Sequence, residues 1–392
     1  VTATRETPLR EQADRARGPQ VILCGPFPNP YVVGGYARCN DLTATSFLAD
    51  RFGIERLPVT VPGEGSFLAR MGQDVGRTWR CLRDCDAPIV HLTLQYYRGT
   101  YREYMIYRMA RRHGRRFVLD IRAGCFVDCF DEPRARLRRW LLRDMILGAD
   151  AITVEGRAYI GWLADRFGRE STYFPNFVQS AHREVYPSAP LEKPESSPVR
   201  LVYSGRLVPG KGLAESIAAC AELDRRGLSV ELHLAGPAEH SYDDELRAEA
   251  RRCDVSERVI FHGRLDHDGV LRLLASSHVF LFPSTWWGEG HSNAVNEAMQ
   301  VGLPIVTTRH GFLGDVVTPQ CGEVIEQVDT PTITGAVERL ASDWPRLQTA
   351  GRAARERVYR EFSDTVALER VAGVYTRLLS ISRSRPDGPA NR

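Results

Sequence analysis

The sequence predicts an α/β protein made of two doubly wound domains in tandem. Three observations carry this reading. Short apolar runs such as VILCG (21–25) and HVFLFPS (278–284) alternate with longer amphipathic stretches, at the spacing of roughly 30 residues that βαβ units need. The alternation stops in a Pro/Ser-rich polar stretch, YPSAPLEKPESSP (186–198), and restarts after it. A chain of 392 residues, 43% hydrophobic and 26% charged, has the length and composition of two ordinary globular domains.

The elements follow in order. Residues 1–18 are polar and charged, so a disordered tail is expected there and no secretion signal. Val1 reads as a non-Met start codon or a trimmed N-terminus. The first domain spans 19–185. Its first strand, VILCG, runs into the Pro/Gly loop PFPNPYVVGG (26–35), and a helix is expected from about Tyr36. PIVHLT (88–93), RFVLDI (116–121) and DAITVE (150–155) read as further strands, with helices over 101–113 and 133–147. The stretch 186–198 is the expected linker. The second domain, 199–365, repeats the pattern with strands at RLVYSG (200–205), SVELHLAG (229–236), RVIFHG (258–263), HVFLFPS and PIVTT (304–308). Helices are expected over 212–227, 241–253, 267–276 and 292–301, and a helix pair over 345–380. Residues 382–392 read as a second disordered tail.

Composition narrows the function. No apolar run approaches the ~20 residues needed to span a bilayer. With an odd count of nine Cys, reduced thiols in a cytoplasm are the expected state. Cys81/Cys85 and Cys125/Cys129 form C-x3-C pairs, whose spacing fits packing on one helix face better than a zinc knuckle. Residues 1–190 hold 28 Arg against 21 acids, whereas the rest of the chain is net acidic. The basic half is available to an anionic partner, or is a solvated Arg-rich surface. No motif for reading nucleic acid is present.

Chemistry gathers in the second domain. Glu289 and Glu297 stand in an E-x7-E arrangement within FLFPSTWWGEGHSNAVNEAMQVGLPIV. The strand ending near Pro283 places Glu289 in a glycine-broken loop, and Glu297 falls one to two turns into the following helix. Ligands of open α/β sheets bind at such strand ends. Two carboxylates there accept hydrogen bonds from sugar or ribose hydroxyls, and the amides of His291, Ser292 and Asn293 meet an anion at a helix N-terminus. An exposed loop carboxylate beside a solvated helical one is the plainer reading of the spacing alone. Upstream, SGRLVPGKG (204–212) turns on Gly205 and Gly210 and sets Arg206 and Lys211 beside the next helix. Two cations at a helix N-terminus form a pyrophosphate site. Lys211 stands out, because 50 of the 52 basic residues are Arg. The phosphate-loop pattern G-x4-G-K-[ST] is absent.

Taken together, Arg206 and Lys211 in SGRLVPGKG, the Glu289/Glu297 pair, EAMQVGLPIVTT after it and Gly34-Gly35 after the first strand resemble glycosyltransferase family 4, the large retaining GT-B family. The resemblance covers most of 199–320 and is weaker over 20–180. It implies two Rossmann-like domains with a crevice between them and a last helix, 366–381, crossing back to the N-terminal domain. It implies that the second domain binds a nucleotide-sugar. Arg206 and Lys211 would hold the diphosphate, Glu297 the ribose, and Glu289 the transferred sugar near its anomeric centre. His291, Ser292 and Asn293 would meet sugar and phosphate, and Gly34 and Gly35 would close over the diphosphate. Retention is ascribed in this family to same-face attack, with no metal or other cofactor expected. Asp84-Cys85-Asp86 and Asp266-His267-Asp268 read as caps and turns rather than metal ligands.

The sequence departs from the family at two places. Where many members carry H-x-H on the third N-terminal strand, it has His91-Leu92-Thr93. Where many carry a His after the next strand, it has Asp120-Ile121-Arg122. His91 and Arg122 are therefore the acceptor-side candidates: His91 as a ligand group or a satisfied strand-end histidine, Arg122 as an anion binder or a partner for Asp120. The stretch 94–117 interleaves five Tyr with seven Arg, and its helix is expected to set Tyr104, Met105 and Tyr107 on one face. It reads as a contact for an anionic membrane or a lipid-phosphate acceptor, or as a core stripe with a solvated Arg face.

The leading expectation is a cytoplasmic, metal-independent retaining glycosyltransferase, in places peripheral to the inner membrane face. It would move a sugar from UDP or GDP to a glycan, lipid-linked or small-molecule acceptor, in surface-polysaccharide, glycolipid or natural-product assembly. Two alternatives stand beside it: another GT-B enzyme such as a nucleotide-sugar epimerase or phosphorylase, and a non-catalytic nucleotide-sugar binding module.

Overall fold

The computed structural model describes residues 18–29, 34–59, 66–94, 99–186, 197–239 and 241–383. The N-terminal tail up to residue 17, most of the Pro/Ser-rich linker, the tail from residue 384 and Tyr96, Tyr97 and Arg98 lie outside them. The chain forms two compact units. One runs to Phe174 and takes in the chain from Leu368 onward; the other is Pro175–Ala367.

The first unit carries β1 (Val21–Gly25), α1 (Gly35–Ala44), α2 (Phe47–Phe52), β2 (Ile54–Pro58), α3 (Phe67–Asp84), β3 (Ile89–Leu94), α4 (Gly99–Arg112), β4 (Arg116–Ile121), α5 (Phe126–Asp131), α6 (Arg136–Gly148), β5 (Ala151–Val154), α7 (Ala158–Phe167) and β6 (Thr172–Tyr173). All six strands are parallel, in the order β2-β1-β3-β4-β5-β6. Such a sheet is covered on both faces, which is why β1 and β3 are buried at every position, β1 as an unbroken apolar run and β3 with only His91 and Thr93 interrupting one. β2 escaped the sequence reading because it is the edge strand: IERLP exposes Glu55 and Arg56 and buries Leu57. The helix expected over 133–147 starts at Arg136, after Pro133, with the separate turn-length α5 ahead of it.

The second unit carries α8 (His182–Val185), β7 (Val199–Ser204), α9 (Leu213–Arg225), β8 (Val230–Ala235), α10 (Tyr242–Arg252), β9 (Val259–Gly263), α11 (His267–Ala275), β10 (Val279–Phe282), α12 (Asn293–Gln300), β11 (Ile305–Thr308), α13 (Leu313–Val316), β12 (Gly322–Ile325), α14 (Thr330–Ala341) and α15 (Trp344–Glu361). Its parallel sheet has the order β12-β11-β10-β7-β8-β9. Counted within the unit this is the order 3-2-1-4-5-6 of nucleotide-binding sheets, with the strand order reversing between β7 and β10. A long helix, α16 (Asp364–Arg383), closes the chain, and its residues from Leu368 cluster with the first unit.

Candidate functional site

The reversal point fixes where the second unit can bind a ligand. The loops leaving β7 and β10 stand at the C-terminal strand ends, where ligands of open α/β sheets bind. The β7 loop carries Arg206 and Lys211, and the β10 loop carries Ser284, Trp286 and Glu289. Gly212 lets the two loops touch: it caps α9 in the left-handed conformation, and a Cβ there would stand 2.5 Å from the Pro283 carbonyl oxygen. The backbone N–H of Thr285 donates to the Gly210 carbonyl at 2.8 Å and ties them further.

These contacts bring three sequence-predicted residues together. Lys211 Nζ donates to Glu289 Oε2 at 2.5 Å, and Ser284 Oγ donates to the same oxygen at 2.5 Å. Lys211 Nζ lies 4.9 Å from the Trp286 ring centroid and 5.0 Å from that of Phe282; the Arg206 guanidinium lies 4.8 Å from Trp286. Trp286 is thus a shared aromatic support for two cations. Lys211 and Glu289 are buried, whereas Arg206 is half exposed and pairs with Glu239 at 2.7 Å. Burial lowers the Lys211 pKa, and the Glu289 carboxylate opposes that shift. The site therefore holds a buried ion pair with a half-exposed cation at its rim.

Residues 291–293 are held by a second network. Asn176 Nδ2 donates to the His291 carbonyl at 2.6 Å, and Asn296 Nδ2 donates to the Asn176 carbonyl at 3.1 Å. The His291 ring is buried, with Nε2 3.1 Å from Asn296 Oδ1 and its face edge-on to Phe362. Ser292 occupies the N-cap of α12 without a side-chain cap bond, and Asn293 begins the helix. Glu297 stands apart from this group, paired with His267 Nδ1 at 3.5 Å. Trp287 is half exposed, while Trp286 is the ring that enters the site.

Sequence reasoning missed Asn176, Ser284, Asn296, His267 and His310. Asn176 lies 115 residues from the carbonyl it holds, and no local pattern marks it. His310 Nε2 sits 2.9 Å from the Trp286 carbonyl oxygen, next to Gly311, where a Cβ would stand 2.1 Å from the Glu289 carbonyl oxygen. The G-F pair after HVFLFPS…PIVTTRH was the available signal for that approach. Asp266 N-caps α11 by accepting the Gly269 N–H at 2.7 Å, and Asp84 is the last residue of α3. Among the described residues no group of three or more His, Cys, Asp or Glu is placed to hold a metal ion.

In the first unit, Gly34 caps α1, and a Cβ there would meet nothing within 4 Å; Gly35 opens the helix. His91 is not at a strand end but is the third residue of β3, because the strand runs on to Leu94. Its Nδ1 lies 2.6 Å from the Tyr375 hydroxyl on α16, and burial lowers its pKa to about 4, against an opposing pull from Asp120. Arg122 has no exposed surface. Its Nε donates to Asp120 Oδ2 at 2.5 Å and its guanidinium lies 4.2 Å from the Phe174 ring centroid. Burial works against the Arg122 charge, but Asp120, Cys39 and Glu155 outweigh it and the pKa is raised. Thr153 Oγ1 donates to the other Asp120 oxygen at 2.7 Å. Met105 does not share the face of Tyr104 and Tyr107: it is exposed, while Tyr107 is buried and its ring contacts Tyr104, since adjacent helical positions sit about 100° apart.

Residues 177–357 match the family model described as Glycosyl transferases group 1. The chain is 30% identical to a glycogen synthase of Mycobacterium tuberculosis over 240 residues, 60% of this chain and 55% of that protein. It is 29% identical over 185 residues to a GDP-mannose-dependent monoacylated alpha-(1-6)-phosphatidylinositol monomannoside mannosyltransferase of Corynebacterium glutamicum, 46% of this chain and 47% of that one. The chain spans about half the length of the curated relatives it matches. Among solved structures, sucrose-phosphate synthase from Thermosynechococcus elongatus superposes with a TM-score of 0.74 at 18% identity, covering 93% of this chain and 100% of that one. Residues 177–357 are thus a glycosyl transferases group 1 region, in a chain whose fold is that of the GT-B glycosyltransferases.

Proposed function

We propose that the protein is a retaining, metal-independent glycosyltransferase of family 4. It transfers a sugar from a UDP- or GDP-sugar to an acceptor in cell-surface polysaccharide or glycolipid biosynthesis, on the cytoplasmic side of the membrane. The observation that carries this reading is the Lys211–Glu289 pair, with Arg206 beside it on Trp286, at the reversal point of the second unit's 3-2-1-4-5-6 sheet.

In this reading the diphosphate leaving group needs its growing charge neutralised, and Arg206 and Lys211 supply that from fixed positions. Glu289, anchored by Lys211 and Ser284, presents its remaining oxygen to the transferred sugar. Glu297 takes the ribose hydroxyls, and the amides at His291, Ser292 and Asn293 meet sugar and phosphate. Same-face transfer relies on positioning more than on a side-chain base, and Asn176 and Asn296 supply positioning by holding residue 291. The first unit takes the acceptor.

A second reading, a nucleotide-sugar binding module without turnover, draws on one observation. Both acceptor-side candidates, His91 and Arg122, are sealed inside the first unit. One experiment separates the two. The protein is incubated with a panel of UDP- and GDP-sugars and free nucleotide is measured. A transferase releases nucleotide from one donor, loses this in Lys211→Ala and Glu289→Ala, and keeps it in EDTA. Tight binding of a donor with no release, with or without candidate acceptors, favours the module. Loss of release in EDTA removes the metal-independent part of the proposal.

A further inference from the structure

The two cations that share the Trp286 ring each hold a carboxylate. Lys211 pairs with Glu289 at 2.5 Å, and Arg206 pairs with Glu239 at 2.7 Å. The pairs differ in cover. Lys211 and Glu289 are buried, whereas Arg206 keeps 48% of its side-chain surface and Glu239 keeps 46%. An exposed pair adds little to stability, because water screens both charges and two long side chains lose freedom in forming it. Backbone contacts, not this ion pair, place Glu239. Ser204 and Ala235 are the last register partners of β7 and β8. Just past them Gly236, at a φ of 140°, comes so near the β7 loop that a Cβ would stand 1.8 Å from the Gly205 carbonyl oxygen. The Leu207 N–H then donates to the Pro237 carbonyl at 2.9 Å, and the Glu239 N–H donates to the Leu207 carbonyl at 3.2 Å. The Tyr203 hydroxyl donates to the Arg206 carbonyl at 2.8 Å. The loops leaving β7 and β8 are thus joined at the backbone, which sets the Glu239 carboxylate opposite the Arg206 guanidinium. Arg206 makes this pair while its guanidinium lies 4.8 Å from the Trp286 centroid.

We propose that Glu239 is a counter-anion that sets donor affinity. It holds Arg206 whenever no diphosphate is bound, and gives it up to the diphosphate of a nucleotide-sugar or of the nucleoside diphosphate product. This rests on the donor-site reading, in which Arg206 and Lys211 bind the diphosphate. Charge favours an exchange. Arg206, Lys211, Glu239 and Glu289 sum to zero, so a diphosphate gains net attraction only when a carboxylate gives up its cation. Glu289 is fixed on Lys211 and Ser284 in a buried setting, and freeing it would strand a buried charge. Glu239 is in water and turns away at little expense. The guanidinium fork suits phosphate oxygens as well as carboxylate oxygens, so the new contact replaces the old one in kind. An ionised Glu239 beside the cleft therefore opposes the ligand by competing for Arg206, and its removal should strengthen binding.

The test is calorimetric titration of UDP and of GDP into the full chain and its variants. Glu239→Gln keeps the size of the side chain and removes its charge. It should tighten whichever nucleotide binds by about 3- to 5-fold. A carboxylate with only a structural part would weaken binding or leave it unchanged when removed, so a gain distinguishes the two. The gain should shrink below about 2-fold in an Arg206→Ala background, because Glu239 acts through that guanidinium. Thermal melts check that Glu239→Gln folds as the parent does. Equal or weaker binding by folded Glu239→Gln overturns the proposal. So does a gain that persists in full without Arg206, since the carboxylate would then act on the ligand directly. The donor-site reading is scored apart from this. Loss of nucleotide binding in Lys211→Ala with no gain in Glu239→Gln keeps that reading and removes the role of Glu239. Failure of the parent protein to bind either nucleotide removes both.

Discussion

Each unit holds a buried carboxylate–cation pair near the C-terminal edge of its sheet, and the surroundings of the two pairs differ. Lys211 and Glu289 each keep 7% of their side-chain surface, between glycine-turned loops, with half-exposed Arg206 across the same indole. Arg122 and Asp120 keep 0% and 1%, enclosed by Phe174, Thr153 and the strands. The first pair lies between loops at the strand ends, not within the sheet. The second is spent on the fold, because any ligand would have to displace packed side chains.

The largest effects come from breaking the pairs. Lys211→Met and Arg122→Met should each destabilise the unit that holds them by about 3–5 kcal/mol, read by denaturant unfolding, because each strands a buried carboxylate. Second changes then separate their roles. Lys211→Met/Glu289→Gln should recover most of the stability and still release no nucleotide. Arg122→Met/Asp120→Asn should recover both. A folded Arg122→Met/Asp120→Asn protein without nucleotide release would break the comparison, since Arg122 would then act on a ligand.

A smaller effect sharpens the first unit's side of it. His91 is neutral when buried, with its pKa near 4 against 6.5 in the unfolded chain. Between those values the unfolded chain binds the proton and the folded one does not, so stability falls as pH drops from 6.5 toward 4. The loss should reach roughly 3 kcal/mol near the bottom of that window. His91→Gln, which still meets the Tyr375 hydroxyl, should remove this part of the acid sensitivity; thermal melts from pH 7 to pH 4.5 would show it. An unchanged pH profile in the variant would mean that another group controls the acid limb. The smallest effect lies outside both pairs. Asp266→Ala removes the α11 N-cap and should cost about 1 kcal/mol, without changing nucleotide release. Loss of release there would assign Asp266 a part in the site rather than in the cap.

The Tyr/Arg run at 94–117 shows what a local pattern can and cannot carry: only packing showed that Met105 faces out while Tyr107 faces in. Strands buried on both faces, such as VILCG and IVHLTL, were legible because mostly apolar side chains fill them. β2, β6 and β12 were not: β2 is an exposed edge, β6 has two residues, and β12 is the four-residue edge strand GEVI.

Taken by itself, the sequence determined the alternating α/β period, the glycine turns around Arg206 and Lys211, and the loop-then-helix placing of Glu289 and Glu297. These depend on backbone preferences and hydrophobic spacing, which act over a few residues. Partner choice was decided by tertiary structure. Glu289 takes Lys211 across 78 residues because β7 and β10 lie side by side, and Glu297 takes His267 instead. Asn176 reaches His291, and Arg122 is closed off on Asp120. Strand order follows from burying two whole sheets at once, so it fixes which loops meet at the reversal point, and no local window of the chain contains that information.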